Sequence, residues 1–158
     1  MAADKKMKRK MMLLAVILCI CLNGCTNGFA KKEYDSEKKI AKTEDRYAKE
    51  GSVFNMIEGG YSLTVSKFNG RQTLWTENLK EEQEIKIEIS FGISEGKAKI
   101  VHVDEEGTVT TLLECTPDTS TEGNVTKMVS LKKGKNRLKF VGYDCEDVEL
   151  EMLFEVHE

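Results

Sequence analysis

The chain has 158 residues, 40% of them hydrophobic, with 24 Lys and Arg against 27 Asp and Glu and a single proline. That length bounds it to one domain, and the acidic excess argues against nucleic acid as a partner, because phosphate binding needs concentrated cations. Five cysteines without a C-x-x-C pair give no basis for a zinc or thioredoxin-like site, so no metal or cofactor is expected.

The amino-terminal stretch KKMKRKMMLLAVILCICLNGC sets a cluster of cations (Lys5, Lys6, Lys8, Arg9, Lys10) before the apolar run Met11 to Leu22. Twelve helical residues would cover about 18 Å, well short of a ~30 Å hydrocarbon core, so the run is too short for a spanning anchor. A basic region, a short apolar run and a small residue before a cysteine form an export signal. Leu22-Asn23-Gly24-Cys25 resembles the lipobox of a bacterial lipoprotein, with Asn23 less usual than a small or β-branched residue at its position. The resemblance implies cleavage between Gly24 and Cys25, a diacylglyceryl thioether on Cys25, and a partner in the lipid bilayer at the extracytoplasmic face of the cell membrane. Either Met1 or Met7 serves as the start. Removing residues 1–24 takes away five of the 24 cations and one of the 27 acids, leaving 19 against 26 and a formal charge of −7.

Residues 25–58 are expected to be a spacer. Lys31 to Glu50 holds 13 charges in 20 residues. Its Asp35–Lys39 and Asp45–Lys49 spacings suit a solvated helix that Gly51 would end. Residues 59–158 then change period. Tyr61, Leu63 and Val65 alternate with polar residues, Asn69-Gly70 reads as a tight hairpin turn, and Arg71 to Leu79 returns. Ile85, Ile87, Ile89 and Phe91 share one face and Glu84, Lys86, Glu88 and Ser90 the other, which predicts a strand with one buried side. Lys97 to Val103, Thr108 to Cys115, Val125 to Leu131, Arg137 to Val141 and Val148 to Val156 complete eight candidate strands. Lys132 to Asn136 reads as a further hairpin turn. The expected fold class is all-β, an antiparallel β-sandwich, jelly-roll-like or Ig-like. Val129 to Phe140 resembles the penultimate hairpin of jelly-roll carbohydrate-binding modules, which implies a sandwich of that kind.

Within the sandwich, Trp75 is the candidate recognition ring, because the apolar face of a sugar stacks on an exposed aromatic; Tyr143 could assist, and core packing is the alternative. Cys115 and Cys145 are either bridged or free. Gly92-Ile93-Ser94-Glu95-Gly96 matches G-x-S-x-G, but that elbow needs a helix after the turn and here a strand follows, so Ser94 is read as part of an ordinary turn. His102 reads as half-buried and His157 as solvated. The acidic turns at Asp104 to Glu106 and at Asp144, Glu146 and Asp147 lack a spaced calcium-loop pattern. The expected function is non-enzymatic binding of an envelope protein or a surface glycan. The alternative is an accessory subunit of a membrane complex, and a hydrolase using Ser94 ranks last.

Overall fold

The computed structural model describes residue 30, residues 32–121 and residues 123–156. The stretch read as an export signal, with Gly24 and Cys25, and His157 lie outside the described residues. Among the described residues, seven strands follow the helical turn α1 (Glu37–Ile40): β1 (Arg46–Ile57), β2 (Gly60–Leu79), β3 (Gln83–Gly92), β4 (Glu95–Val103), β5 (Val109–Cys115), β6 (Val125–Leu131) and β7 (Gly134–Val156). Every pairing is antiparallel.

The sandwich is made by folding long strands rather than by stacking separate hairpins. β2 and β7 pair along almost their whole length, and the register slips between Phe68 and Gly70. At that point β7 carries Asp144 and Asp147 at positive φ. On the far side of β7, β3 pairs with Gly92-side residues against Glu149 and beyond, and β4 pairs from Glu146 back to Arg137. The ribbon bends here, and its two halves face each other. One layer holds β1, the first half of β2, the second half of β7, β3 and β6; the other holds the second half of β2, the first half of β7, β4 and β5. Phe91 and Phe140 have register partners other than each other, yet their rings meet edge-on at 5.9 Å. Leu63, Ile87, Ile89 and Met152 from one layer and Ile100, Leu138 and Phe140 from the other form one buried cluster.

Three sequence expectations change. Asn69-Gly70 is not a hairpin turn but the bend within β2. Gly70 sits at φ +111, and a Cβ there would run into the Arg46 carbonyl, so only glycine fits. Asn69 Oδ1 accepts the Asp144 N–H at 2.7 Å and ties the two bent strands together. The eight expected strands are therefore seven, two pairs of them joined and an edge strand, β1, added. Neither 93–94 nor 132–133 closes a hairpin, because β3 and β6 belong to one layer and the strands after them, β4 and β7, continue in the other.

The third change concerns residues 25–58. Instead of a solvated helix, Arg46–Ile57 is strand β1, paired to β2 in one unbroken register, and Gly51 (φ +57) lies within it rather than ending a helix. Residues 33–45 lie as a strap on the outer face of the second layer. Tyr34 and Ile40 are buried against Val101, Val103 and Val141. The reason is electrostatic as well as apolar. β2 and β7 present Arg71, Arg137 and Lys139 on that face, all buried, and the strap supplies their partners. Glu33 pairs with Arg71, Asp45 with Lys139 at 3.5 Å, and the Thr43 hydroxyl accepts from Arg137 at 3.2 Å. The carboxylates expected to pair along a helix are used across the sheet instead, Asp35 reaching Lys97 at 3.5 Å.

Candidate ligand-binding cleft

At the end of the sandwich opposite the bend, the layers part to leave a cleft of about 510 Å³. Its walls are mostly apolar, from Met56, Ile57, Tyr61, Trp75, Leu79 and Phe154, with Ile85 and Leu131 at its base and Glu77 and Gln83 as its polar groups. Both ends of β2 reach this mouth because the strand is folded in two. Tyr61 stands opposite Met152, and Phe154 opposite Ile87, so both rings point between the layers.

Trp75 arrives there through a second irregularity. Thr73 is paired with Lys139 on the outer face, and strict alternation would put Trp75 on that face too. The register shifts between Thr73 and Trp75, so Trp75 stands opposite Leu138, an inward residue. A β-bulge of this kind re-aims a side chain. Trp75 is half-buried and stacks on Phe154 at 5.9 Å. Phe154 meets Tyr61 edge-on at 5.8 Å, and Tyr61 stacks on Phe54 at 5.5 Å, so four rings run from the cleft to the edge strand. Glu77, opposite Asn136, follows Trp75 on the same inward face.

The other candidate residues lie elsewhere. Tyr143 is at the bend, opposite Lys97, whose ammonium is 5.8 Å from its ring; it does not join Trp75. Ser94 stands on the turn from β3 into strand β4 and donates to Asp147 at 2.9 Å. His102 Nε2 and Asn136 Oδ1 are 2.9 Å apart, a buried pair that holds the β7 entrance. Cys115 and Cys145 are free, buried thiols. Each donates to a different carbonyl, Phe91 at 3.5 Å and Lys97 at 3.1 Å. Burial pushes the Cys145 thiol up to about 12 and raises Cys115 as well. Asp104 accepts from Lys132 at 2.9 Å and from the Thr108 amide at 2.8 Å. Burial alone would raise its carboxyl, but these bonds outweigh that and hold it at about 2. Among the described residues no group of three or more His, Cys, Asp or Glu is placed to hold a metal ion.

Tyr61, Phe154 and Met56 were not legible as site residues. Their alternation marks inward positions, but the cleft exists only because the ribbon folds and brings the strand ends together.

No family model matches the chain, and no curated protein matches it. Among solved structures it is similar to a family 29 carbohydrate-binding module complexed with mannohexaose, at 12% identity over 72% of this chain and 81% of that one, with a TM-score of 0.41. It is also similar to the carbohydrate-binding module of Cellvibrio mixtus lichenase 5A in complex with cellotriose, at 10% identity over 72% and 91%, with a TM-score of 0.41. At that distance no sugar-contacting residue is carried over to this chain.

Proposed function

We propose that this chain is a non-catalytic glycan-binding module, held at the extracytoplasmic face of a membrane by a lipidated Cys25, with its ligand in the Trp75 cleft. The observation that carries the reading is the aromatic wall: Trp75, Phe154 and Tyr61 meet in a cleft whose polar groups are Glu77 and Gln83. Apolar sugar faces stack on such rings while carboxylate and amide groups fix orientation. The lipobox at Leu22 to Cys25 supports the tether.

Trp75 is the only tryptophan, so intrinsic fluorescence reports on this cleft alone. Oligosaccharide titration is expected to shift it, and Trp75→Ala is expected to abolish binding measured by calorimetry. The partial burial of the ring sets the stability cost at about 1–2 kcal/mol, below the range for a core tryptophan. Unchanged sugar binding by Trp75→Ala would overturn the site.

A second reading has its own observation. Tyr47, Val53, Phe54 and Met56, four of the large apolar side chains left exposed, all lie on β1, an edge strand with an unpaired side. Such an edge suits strand addition by a protein of a membrane complex. Crosslinking from position 53 in intact cells to one recurrent protein would favour that accessory role.

A further inference from the structure

The glycan reading leaves open which sugars the cleft takes, and its charges answer that. We infer that the cleft selects a glycan carrying free amino groups, such as unacetylated glucosamine units, over neutral or anionic sugars; the inference rests on the glycan reading above.

Glu77 is the one charged side chain among those lining the cleft. It follows Trp75 by two residues on the same strand face, about 7 Å along the strand. A ring stacked on Trp75 therefore places a substituent one bond outside that ring within reach of the Glu77 carboxylate. Two of the loops framing the mouth add the same sign. Glu58, between β1 and β2, and Glu81 and Glu82, on the β2–β3 turn, are exposed, against Lys80 alone in those loops; the Ser130 hydroxyl donates to Glu82 at 2.7 Å. The third loop, Lys132 to Lys135, is cationic, but Lys132 is engaged by Asp104 at 2.9 Å and Glu106 at 3.8 Å. From that side it is the apolar Leu131 that lines the cleft. The cleft thus offers an ammonium group both a carboxylate and an aromatic face, and cation–π attraction adds to the carboxylate. A uronate, sulfate or phosphate would meet Glu77 and no cation lining the cleft, so like-charge repulsion disfavours it there.

The test uses the purified full chain and two probes of equal length, the β-1,4-linked glucosamine hexamer and its fully N-acetylated counterpart, at a pH that keeps the amines protonated. Trp75 fluorescence is expected to titrate with both. The amino hexamer should bind about tenfold more tightly, a difference that shrinks with added salt. Glu77→Gln should erase that preference, lowering affinity for the amino hexamer about tenfold more than affinity for the acetylated one. Glu149→Gln, an exposed carboxylate on the opposite face of the first layer, should leave the preference intact. Equal or tighter binding of the acetylated hexamer overturns the amino-sugar assignment and keeps the glycan cleft. Loss of preference in Glu149→Gln as large as in Glu77→Gln would show attraction to net charge only and overturns it as well. A chain whose Trp75 emission responds to neither hexamer overturns both readings.

Discussion

Replacing Glu33 by Gln separates a structural strap from a solvated spacer. Glu33 is 1% exposed and pairs with Arg71, which is 3% exposed. It also lies 3.6 Å from Lys39 and 3.8 Å from Arg46, both far more exposed. The amide keeps the shape but removes the charge. Arg71 then keeps the Glu44 carbonyl at 3.1 Å, while its Nε already has no hydrogen-bond partner. Breaking one side of a buried ion pair costs about 3–5 kcal/mol, whereas the exposed pairs with Lys39 and Arg46 add a few tenths. With a urea dependence of ~2 kcal/mol/M, the unfolding midpoint should fall by about 1.5–2.5 M, followed by circular dichroism and by Trp75 emission. Combining Glu33→Gln with Arg71→Met removes both charges and should recover most of the loss, because the cost lies in the orphaned guanidinium. A loss under about 0.5 kcal/mol, the size of a surface change, would refute the strap and restore the spacer.

Further outcomes follow from single positions. Gly70→Ala should cost at least about 2 kcal/mol in the same unfolding assay, because any Cβ meets the β1 backbone at φ +111. The raised Cys145 thiol keeps its proton in the folded protein up to about 12. The unfolded chain ionises from ~8.5, so the stability this thiol contributes is whole below that and falls as pH rises towards 12. Cys145→Ala should flatten that alkaline slope, and neither native thiol should react with a thiol reagent at pH 8. Asp104 works in the opposite sense. Its carboxyl, held at about 2, contributes stability above ~3.9 that is lost as pH falls towards 2, and Asp104→Asn should remove that acid limb. Cys25→Ser should abolish lipid labelling and leave the precursor uncleaved in cells; a labelled variant would refute the lipobox.

Strands that alternate cleanly were legible, and β3 and β6 run almost as the period-two pattern placed them. What alternation could not show is where a strand bends. Asn69-Gly70 has the composition of a hairpin turn, and only the long-range partner of Gly70, the Arg46 backbone, makes it a bend instead. The strap was hidden for a related reason. Local spacing favoured Asp45–Lys49 on a helix, but Asp45 has a stronger claim from Lys139, 94 positions away and fully buried. A charge-rich segment reads as solvated until the sheet that needs its carboxylates is known. Trp75 stood out by residue type alone; the one-residue bulge at Leu74 that turns it inward leaves no mark in the sequence.

The strap also fixes which way the module points. Glu33 and Tyr34 enter beside Arg71 and Lys97, at the bend, whereas the cleft opens at the other end of the ribbon. Nine residues of β7, Gly134 to Gly142, separate the two, roughly 30 Å of strand. From Cys25 to Ala30 the chain spans at most ~18 Å in any conformation. A lipid on Cys25, as proposed, would therefore leash the bent end close to the bilayer and turn the mouth outward, so that the leash length would keep sugars of the membrane's own headgroups from the cleft and leave polymers farther out within its reach.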